Sequence, residues 1–123
     1  MDTPKIFDSE LKFCEILWQH QPVKSSELVR LCADELDWKK STTYTVIKRL
    51  TERGVVKTEN AIVTALVNRE DVQRAESRAF VERNFSGSLP GFLNAFVGGK
   101  GLTAAEADEL RRMIDKFEEE SHG

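Results

Sequence analysis

Between residues 38 and 57 the chain collects positive charge and hydroxyl groups over a short distance. Six lysines and arginines face one acidic residue there, Glu52, so the local balance is +5. Ammonium and guanidinium groups donate hydrogen bonds to anionic oxygens, and hydroxyl groups both donate and accept them. These side chains are therefore suited to binding a polar, negatively charged surface. The candidate binding residues are Lys39, Lys40, Ser41, Thr42, Tyr44, Thr45, Lys48 and Arg49.

The net charge of the whole chain is −3, and its second half accounts for that value. Residues 1–67 hold ten basic and ten acidic residues, whereas residues 68–123 hold eight basic and eleven acidic ones. A basic segment inside a neutral half can still attract a polyanion, because the local distribution of charge matters more than its sum.

Periodic apolar residues predict three helices that could present these side chains. They run from Asp8 to Trp18, from Ser25–Ser26 onward, and from Thr42 to Arg53, which Gly54 closes. The predicted N-caps are Asp8 or Ser9, Ser25 or Ser26, and Ser41. The predicted inward stripe of the third helix is Thr43, Val46, Ile47 and Leu50. The candidate binding residues lie wholly or partly outside that stripe.

After Gly54 the pattern changes to two β-branched runs, residues 55–59 and 62–67, which predict a hairpin with Asn60–Ala61 at its turn. Three further helices follow: one capped by Asn68 and broken at Gly87, one over 89–97, and one from Thr103 through Glu119. Thr103 and Glu106 have the spacing of a capping box. The predicted fold class is mainly α with a small β-hairpin.

Three helices followed by a hairpin is the order of a winged helix-turn-helix, whose third helix enters the major groove of DNA. That groove is about 12 Å wide and admits one helix. We therefore predict a DNA-binding domain over residues 1–67 and a helical dimerisation region over 68–123. The second region has little core in which to bury its apolar residues, so a twin chain should cover them; the alternative is a compact, monomeric helical cap. The predicted dimerisation residues are Phe80, Phe85, Leu89, Phe92, Leu93, Phe96, Leu110, Ile114 and Phe117.

The segment from Trp38 to Val56 closely resembles the penicillinase-repressor (BlaI/MecI/CopY) family. That family has a tryptophan, two variable residues, Ser-Thr-Val-Tyr-Thr, an apolar pair, then Arg-Leu and a basic residue before glycine. The first helix, Glu10 to Trp18, and the last, from Leu102 to Arg111, are similar to the same family. The resemblance implies a homodimeric transcriptional repressor with intertwined C-terminal helices, bound to a palindromic operator in double-stranded DNA.

The resemblance also implies a regulatory protease as a partner, because members of the family are inactivated by cleavage in the short fifth helix. The corresponding bond here is Ala95–Phe96, whereas the family has Asn-Phe at that place. This departure argues against antibiotic-triggered cleavage. Copper-responsive members carry a C-terminal Cys-x-Cys pair, and this sequence has none, so copper sensing is not expected.

Other functional classes fit the sequence less well. Cys14 and Cys32 fall in helical patterns and are expected to be reduced core residues, so neither a metal nor a cofactor is expected. Trp18 and Trp38 are expected to fix the angles between helices. No apolar stretch approaches the length of a membrane span, and the start lacks a signal peptide, so we expect a cytoplasmic protein with no membrane partner.

The first alternative to a DNA-binding repressor is a winged-helix module that binds proteins instead of DNA. The second, an enzyme, lacks paired carboxylates, nucleophile–base spacings and phosphate loops.

Overall fold

A computed structural model describes residues 3–122 of the chain. This part contains α1 (Asp8–His20), β1 (Val23–Lys24), α2 (Ser25–Leu36), α3 (Lys40–Glu52), β2 (Val56–Glu59), β3 (Ile62–Ala65), α4 (Arg69–Phe85), α5 (Leu89–Val97) and α6 (Ala104–His122). The predicted fold class is confirmed, with one strand more than the sequence pattern indicates.

The three strands form an antiparallel sheet in the order β1–β3–β2. The hairpin of β2 and β3 turns at Asn60 and Ala61, whose φ angles of 52° and 63° are those of a tight two-residue turn. Strand β1 is the unpredicted member, and its Val23 lies opposite Val63 of β3. Two residues are too few for alternation to be visible in the sequence, so only the pairing defines this strand.

The hydrophobic core lies between α1, α2, α3 and the sheet. All four residues of the predicted inward stripe of α3, namely Thr43, Val46, Ile47 and Leu50, are buried, which confirms that prediction. Helix α3 gives way to Gly54 at a φ of 79°, a conformation that glycine adopts without steric cost. Other large core side chains are almost completely buried: Val56 is 1% exposed, and the exposure is 0% for Phe13, Leu17, Leu28, Val55 and Val63.

The predicted N-caps of the first three helices are wrong. The cap positions are Phe7, Lys24 and Lys39, and none of these side chains accepts a capping hydrogen bond. At α1 the Glu10 carboxylate takes that role in part, because it accepts the N–H of Phe7 at 2.9 Å. Helix α3 begins at Lys40, which places Ser41 inside its first turn. The longer helix gains a backbone hydrogen bond from Thr43 N–H to the Lys39 carbonyl at 3.2 Å.

The predicted caps of the later helices are confirmed. Asn68 accepts the N–H of Asp71 at 2.8 Å through its side-chain oxygen. At α6, Glu106 N–H donates to the Thr103 hydroxyl, and Thr103 N–H donates to the Glu106 carboxylate, both at 3.0 Å. Each pair satisfies N–H groups that a helix start leaves without partners.

The chain divides into two compact units, of which the first ends at Ala79 and the second begins at Phe80. The division lies inside α4, whereas the domain boundary that we predict for function lies at the start of that helix. Val72 explains why the first turns of α4 belong with the first unit, because it is 3% exposed and joins the core there.

The second unit has no buried hydrophobic core of its own in the part of the chain that the structure describes. Between Phe80 and Ser121 no side chain is buried. Phe80, Phe85 and Phe92 contact one another with ring centroids 5.6–6.1 Å apart, and Phe96 lies 5.7 Å from Phe92. A groove of about 650 Å³ beside them is lined mainly by Leu89, Leu93, Leu110, Met113, Ile114 and Phe117.

Candidate nucleic-acid interface

Helix α3 presents one polar side to solvent and buries the other. At 3.6 residues per turn, Ser41, Thr45 and Lys48 form a row directly opposite the buried stripe. Thr42 and Arg49 flank that row on one side, and Lys40 and Tyr44 flank it on the other. All eight predicted binding residues are exposed, and Lys39 lies at the cap position just before the helix.

The turn before α3 is held from behind by an aromatic contact. Asp37 ends α2 in the left-handed conformation, with a φ of 58°, and redirects the chain within three residues. Trp38 then stacks on Phe13 of α1, with ring centroids 6.3 Å apart and planes 3° from parallel. This contact fixes the start of α3 against α1, as expected for a tryptophan that sets an inter-helix angle.

The end of α3 is held by an ion pair that the sequence did not reveal. Arg53 Nη2 donates to the carboxylate of Glu10, which is 5% exposed, and Arg53 Nη1 donates to the Lys5 carbonyl at 2.9 Å. Burial by itself would raise the pKa of Glu10, but hydrogen bonds from Arg53 and Phe7 N–H and the positive charges of Arg53 and Arg49 together lower it. Arg53 is therefore a structural residue and contributes little to the basic surface.

The remaining cations on this side of α3 lack acidic partners. Among residues 3–121, no carboxylate lies within 4.0 Å of the charged group of Lys39, Lys40, Lys48 or Arg49. Lys40 Nζ lies 6.0 Å from the centre of the Tyr44 ring, a weak cation–π contact that leaves its charge available.

Acidic side chains lie at the margin of this surface. Glu52 is exposed on the last turn of α3, in line with Thr45 and Lys48. In the hairpin, Lys57 Nζ lies 3.9 Å from Glu59, and both side chains are at least half exposed. The positive potential is therefore centred on the first three turns of α3, and the hairpin adds little to it.

The two cysteines lie apart from this surface. Both are buried and unpaired. Burial raises the pKa of Cys14 to about 12 and that of Cys32 above its ordinary value. Among the described residues, no group of three or more His, Cys, Asp or Glu side chains is placed to hold a metal ion. No helix in this part of the chain is long and apolar enough to cross a bilayer.

The predicted dimerisation residues all lie in the second unit and retain solvent exposure. Five of them are strongly exposed: Phe80 (45%), Leu89 (59%), Phe96 (73%), Ile114 (59%) and Phe117 (53%). The other four, Phe85, Phe92, Leu93 and Leu110, are half-buried. Ala95 and Phe96 are both exposed within α5.

A family model and two curated relatives indicate one family. A family model described as penicillinase repressor matches residues 6–116. The penicillinase repressor of Bacillus licheniformis is 22% identical over 117 residues, which cover 92% of this chain and 91% of that protein. The methicillin resistance regulatory protein MecI of Staphylococcus aureus (strain Mu50 / ATCC 700699) is 26% identical over 118 residues, or 93% of this chain and 96% of that protein.

A solved structure supports the winged-helix fold of the first unit. The solution structure of the monomeric form of Bacillus licheniformis BlaI in complex with the blaP half-operator matches with a TM-score of 0.51. The match is 24% identical and covers 58% of this chain and 93% of that one. At this level of identity the likeness establishes the fold.

Proposed function

The chain belongs to the penicillinase repressor family, and we propose that it represses transcription by binding double-stranded operator DNA through α3. In its finer form the proposal is a homodimer on a palindromic operator. Each protomer would insert one α3 into the major groove of one half-site. The relative named above is in complex with a half-operator, which supports operator DNA as the partner.

The observation that carries the proposal is the exposed side of α3, which combines hydroxyl groups with unpaired cations. Thr42 and Thr45 can hydrogen-bond to base edges or contact a thymine methyl group. Lys39, Lys40 and Arg49 suit phosphate oxygens, which position a protein on the duplex without reading its sequence. Both kinds of contact come from one helix that is held at its two ends by Trp38 and Arg53.

Salt dependence tests the proposal directly. Three cations per protomer (Lys39, Lys40 and Arg49) would give about six phosphate contacts in a dimer, so affinity should fall by about 10³ between 50 and 200 mM salt. Duplexes enriched from a random pool by the full-length protein supply the probe. A chain that enriches no duplex, or that binds with no dependence on salt, would instead be a winged-helix protein-binding module.

A triple variant then tests the assignment of α3. Thr42→Ala, Thr45→Ala and Lys48→Ala together should reduce the preference for the selected duplex by at least about 150-fold, because each good base contact is worth about 1–3 kcal/mol. A matched control changes the exposed Ser9, Lys12 and Gln19 of α1 to alanine. If both triple variants footprint alike, α3 is not the reading helix.

The homodimer is supported by the unburied second unit. Apolar side chains such as Phe96 and Ile114, which are 73% and 59% exposed, line a continuous face of α5 and α6. Burying a large apolar side chain contributes about 1.5–3 kcal/mol. In a two-fold dimer each residue is buried twice, so one phenylalanine accounts for about 3–6 kcal/mol of association.

Sedimentation tests this part of the proposal. Phe96→Asp should raise the dimer dissociation constant by at least about 100-fold, which follows from 3–6 kcal/mol and 1.4 kcal/mol per factor of ten. The control is Asn94→Asp, which adds the same charge to the same helix at an exposed polar position. Equal sedimentation of the two variants as dimers would remove Phe96 from the interface.

A regulatory protease is proposed as a further partner. It would act at Ala95–Phe96, whose two side chains are exposed in the single chain. Because the proposed dimer covers Phe96, the protease would act on the dissociated chain. The bond lies inside α5, between Leu89 and Val97, and a protease needs its substrate extended. Cleavage therefore requires α5 to unwind locally, and mass spectrometry after limited proteolysis would identify this bond if it does.

A further inference from the structure

The first turn of α4 is attached to α1 by contacts that DNA recognition does not use. Trp18 Nε1 donates to the carbonyl oxygen of Val67 at 3.0 Å. Arg69 donates to both oxygens of the Glu15 carboxylate: Nε lies 3.2 Å from Oε1 and 3.1 Å from Oε2, and Nη2 lies 2.5 Å from Oε2. The guanidinium carbon of Arg69 also lies 5.4 Å from the centre of the Trp18 ring. We call Glu15, Trp18, Val67 and Arg69 the α4 junction.

The contacts of the α4 junction restrict the orientation of α4 relative to α1 more than they stabilise the fold. Glu15 and Trp18 lie three residues apart on α1, and Arg69 lies three residues before the buried Val72 on α4, so each helix offers one face to the other. The side chains of Glu15 and Arg69 are each 41% exposed, and water screens such a pair strongly. A bidentate arginine pair nevertheless defines an orientation, because two parallel hydrogen bonds must be satisfied together.

We propose that Glu15, Trp18 and Arg69 are positioning residues that set the direction in which α4 leaves the DNA-binding unit. They thereby determine the half-site spacing that the dimer accepts. The inference rests on the proposed function, because it concerns which pairs of half-sites a DNA-binding dimer can reach. None of the three side chains needs to touch DNA for this role.

The length of α4 makes the spacing sensitive to its starting direction. Its 17 residues span about 25 Å at 1.5 Å per residue. A tilt of about 10° at the first turn therefore moves the far end by about 4 Å, close to the 3.4 Å rise of one base pair. Dimeric helix-turn-helix proteins bind half-sites at a defined separation, so a loose junction should broaden that separation.

The test measures half-site affinity and spacing preference separately, using the full chain. A half-site duplex is taken from the duplexes that the wild-type protein enriches from a random pool. Two copies of it are then placed at separations that increase by one base pair over a full helical turn. The wild-type protein should prefer one separation by about tenfold or more over those three base pairs away.

Two variants loosen the junction at partly exposed positions, where the fold should tolerate the change. Trp18→Phe removes the indole N–H donor, and Arg69→Ala removes the bidentate pair. Each should bind the isolated half-site within about twofold of wild type, while its preference among separations falls below about threefold. The double variant Glu15→Arg with Arg69→Glu restores an ion pair of reversed polarity and should recover most of the preference.

The matched control is Arg74→Ala. Arg74 pairs only within α4, with Asp71 at 3.3 Å, so its loss should leave the spacing preference intact. A junction variant that keeps the wild-type spacing profile overturns the inference, and so does one that loses half-site affinity to the same extent as spacing preference.

The wild-type protein separates this inference from the proposed function. If the wild-type protein binds the half-site without any spacing preference, the inference fails and DNA binding stands. If it binds no duplex, the proposed function itself fails.

Discussion

Arg53→Met would remove the positive charge that holds Glu10 in the core while keeping most of the apolar side-chain volume. In the native chain Arg53 donates to Glu10 and to the carbonyl of Lys5, and its guanidinium lies 5.3 Å from the Phe7 ring centre. After the change, the carboxylate of Glu10 keeps the N–H of Phe7 as a hydrogen-bond donor. We expect the variant to fold but to be clearly less stable.

The magnitude follows from burial. Removing one partner of a buried ion pair costs about 3–5 kcal/mol, because a charge remains without compensation. The Arg53 side chain is 29% exposed, so water can reach the site once it is removed, and we expect about 2–3 kcal/mol. That corresponds to roughly a 30- to 150-fold change in the unfolding equilibrium.

Urea denaturation followed by tryptophan fluorescence measures this loss. Both tryptophans of the chain, Trp18 and Trp38, lie in the first unit, so their signal reports the unit that contains the ion pair. With an m-value of about 1.5 kcal/mol per molar urea, the midpoint should fall by about 1.3–2 M. The control is Arg30→Met, which removes an exposed arginine that pairs with Glu27 and Asp34. Its urea midpoint should stay close to that of wild type, because water screens an exposed pair.

A double-mutant cycle decides whether the loss comes from the pair. The double variant of Glu10→Gln and Arg53→Met should lose less free energy of unfolding than the two single variants lose together, by at least about 1.5 kcal/mol. The reason is that the double variant has no charged side chain left buried at position 10. Additive losses, or equal losses for Arg53→Met and Arg30→Met, would show that burial of the carboxylate is not the cause.

Two further predictions follow from the perturbed pKa values. Because the pKa of Glu10 is lowered in the folded state, its contribution to stability is complete above its ordinary value of 4.5 and is lost as the pH falls through the folded value. The urea midpoint of wild type should therefore drop below pH 4.5 more steeply than that of Glu10→Gln, and parallel curves would contradict the pairing. Because burial raises the pKa of Cys14 to about 12 and also raises that of Cys32, iodoacetamide at pH 8 should alkylate neither thiol in the folded chain and both in urea, as mass spectrometry would report. Rapid modification without denaturant would mean that α1 and α2 open readily.

The sequence pattern predicted the buried and exposed sides of α3 well because the relevant signals are local. The spacing of Thr43, Val46, Ile47 and Leu50 identifies the buried side of α3, and all four are buried. The same spacing implies that Thr45 and Lys48 face outward, as they do. The helix starts were predicted less well: Ser41 lies inside α3, because the helix begins two residues earlier and satisfies the Thr43 N–H with the Lys39 carbonyl instead of a side-chain cap.

The contacts that orient the helices were beyond the reach of sequence patterns. Hydrogen bonds join residues that are far apart in the sequence: Trp18 and Val67 are separated by 49 positions, Glu10 and Arg53 by 43, and Glu15 and Arg69 by 54. Each of these charges and donors has equally plausible partners closer in the chain. Only the packing of α1 against α3 and α4 selects among them.

The sequence alone therefore determined the order of the elements, the inward and outward sides of α3 and the family resemblance, because these depend on residues a few positions apart. Tertiary structure decided which cations remain available and which are used in the fold. Arg53 is drawn to Glu10, whereas Lys48 and Arg49 keep their charge facing solvent. The physical reason is that an ion pair depends on distance in space, which helix packing sets and local periodicity does not.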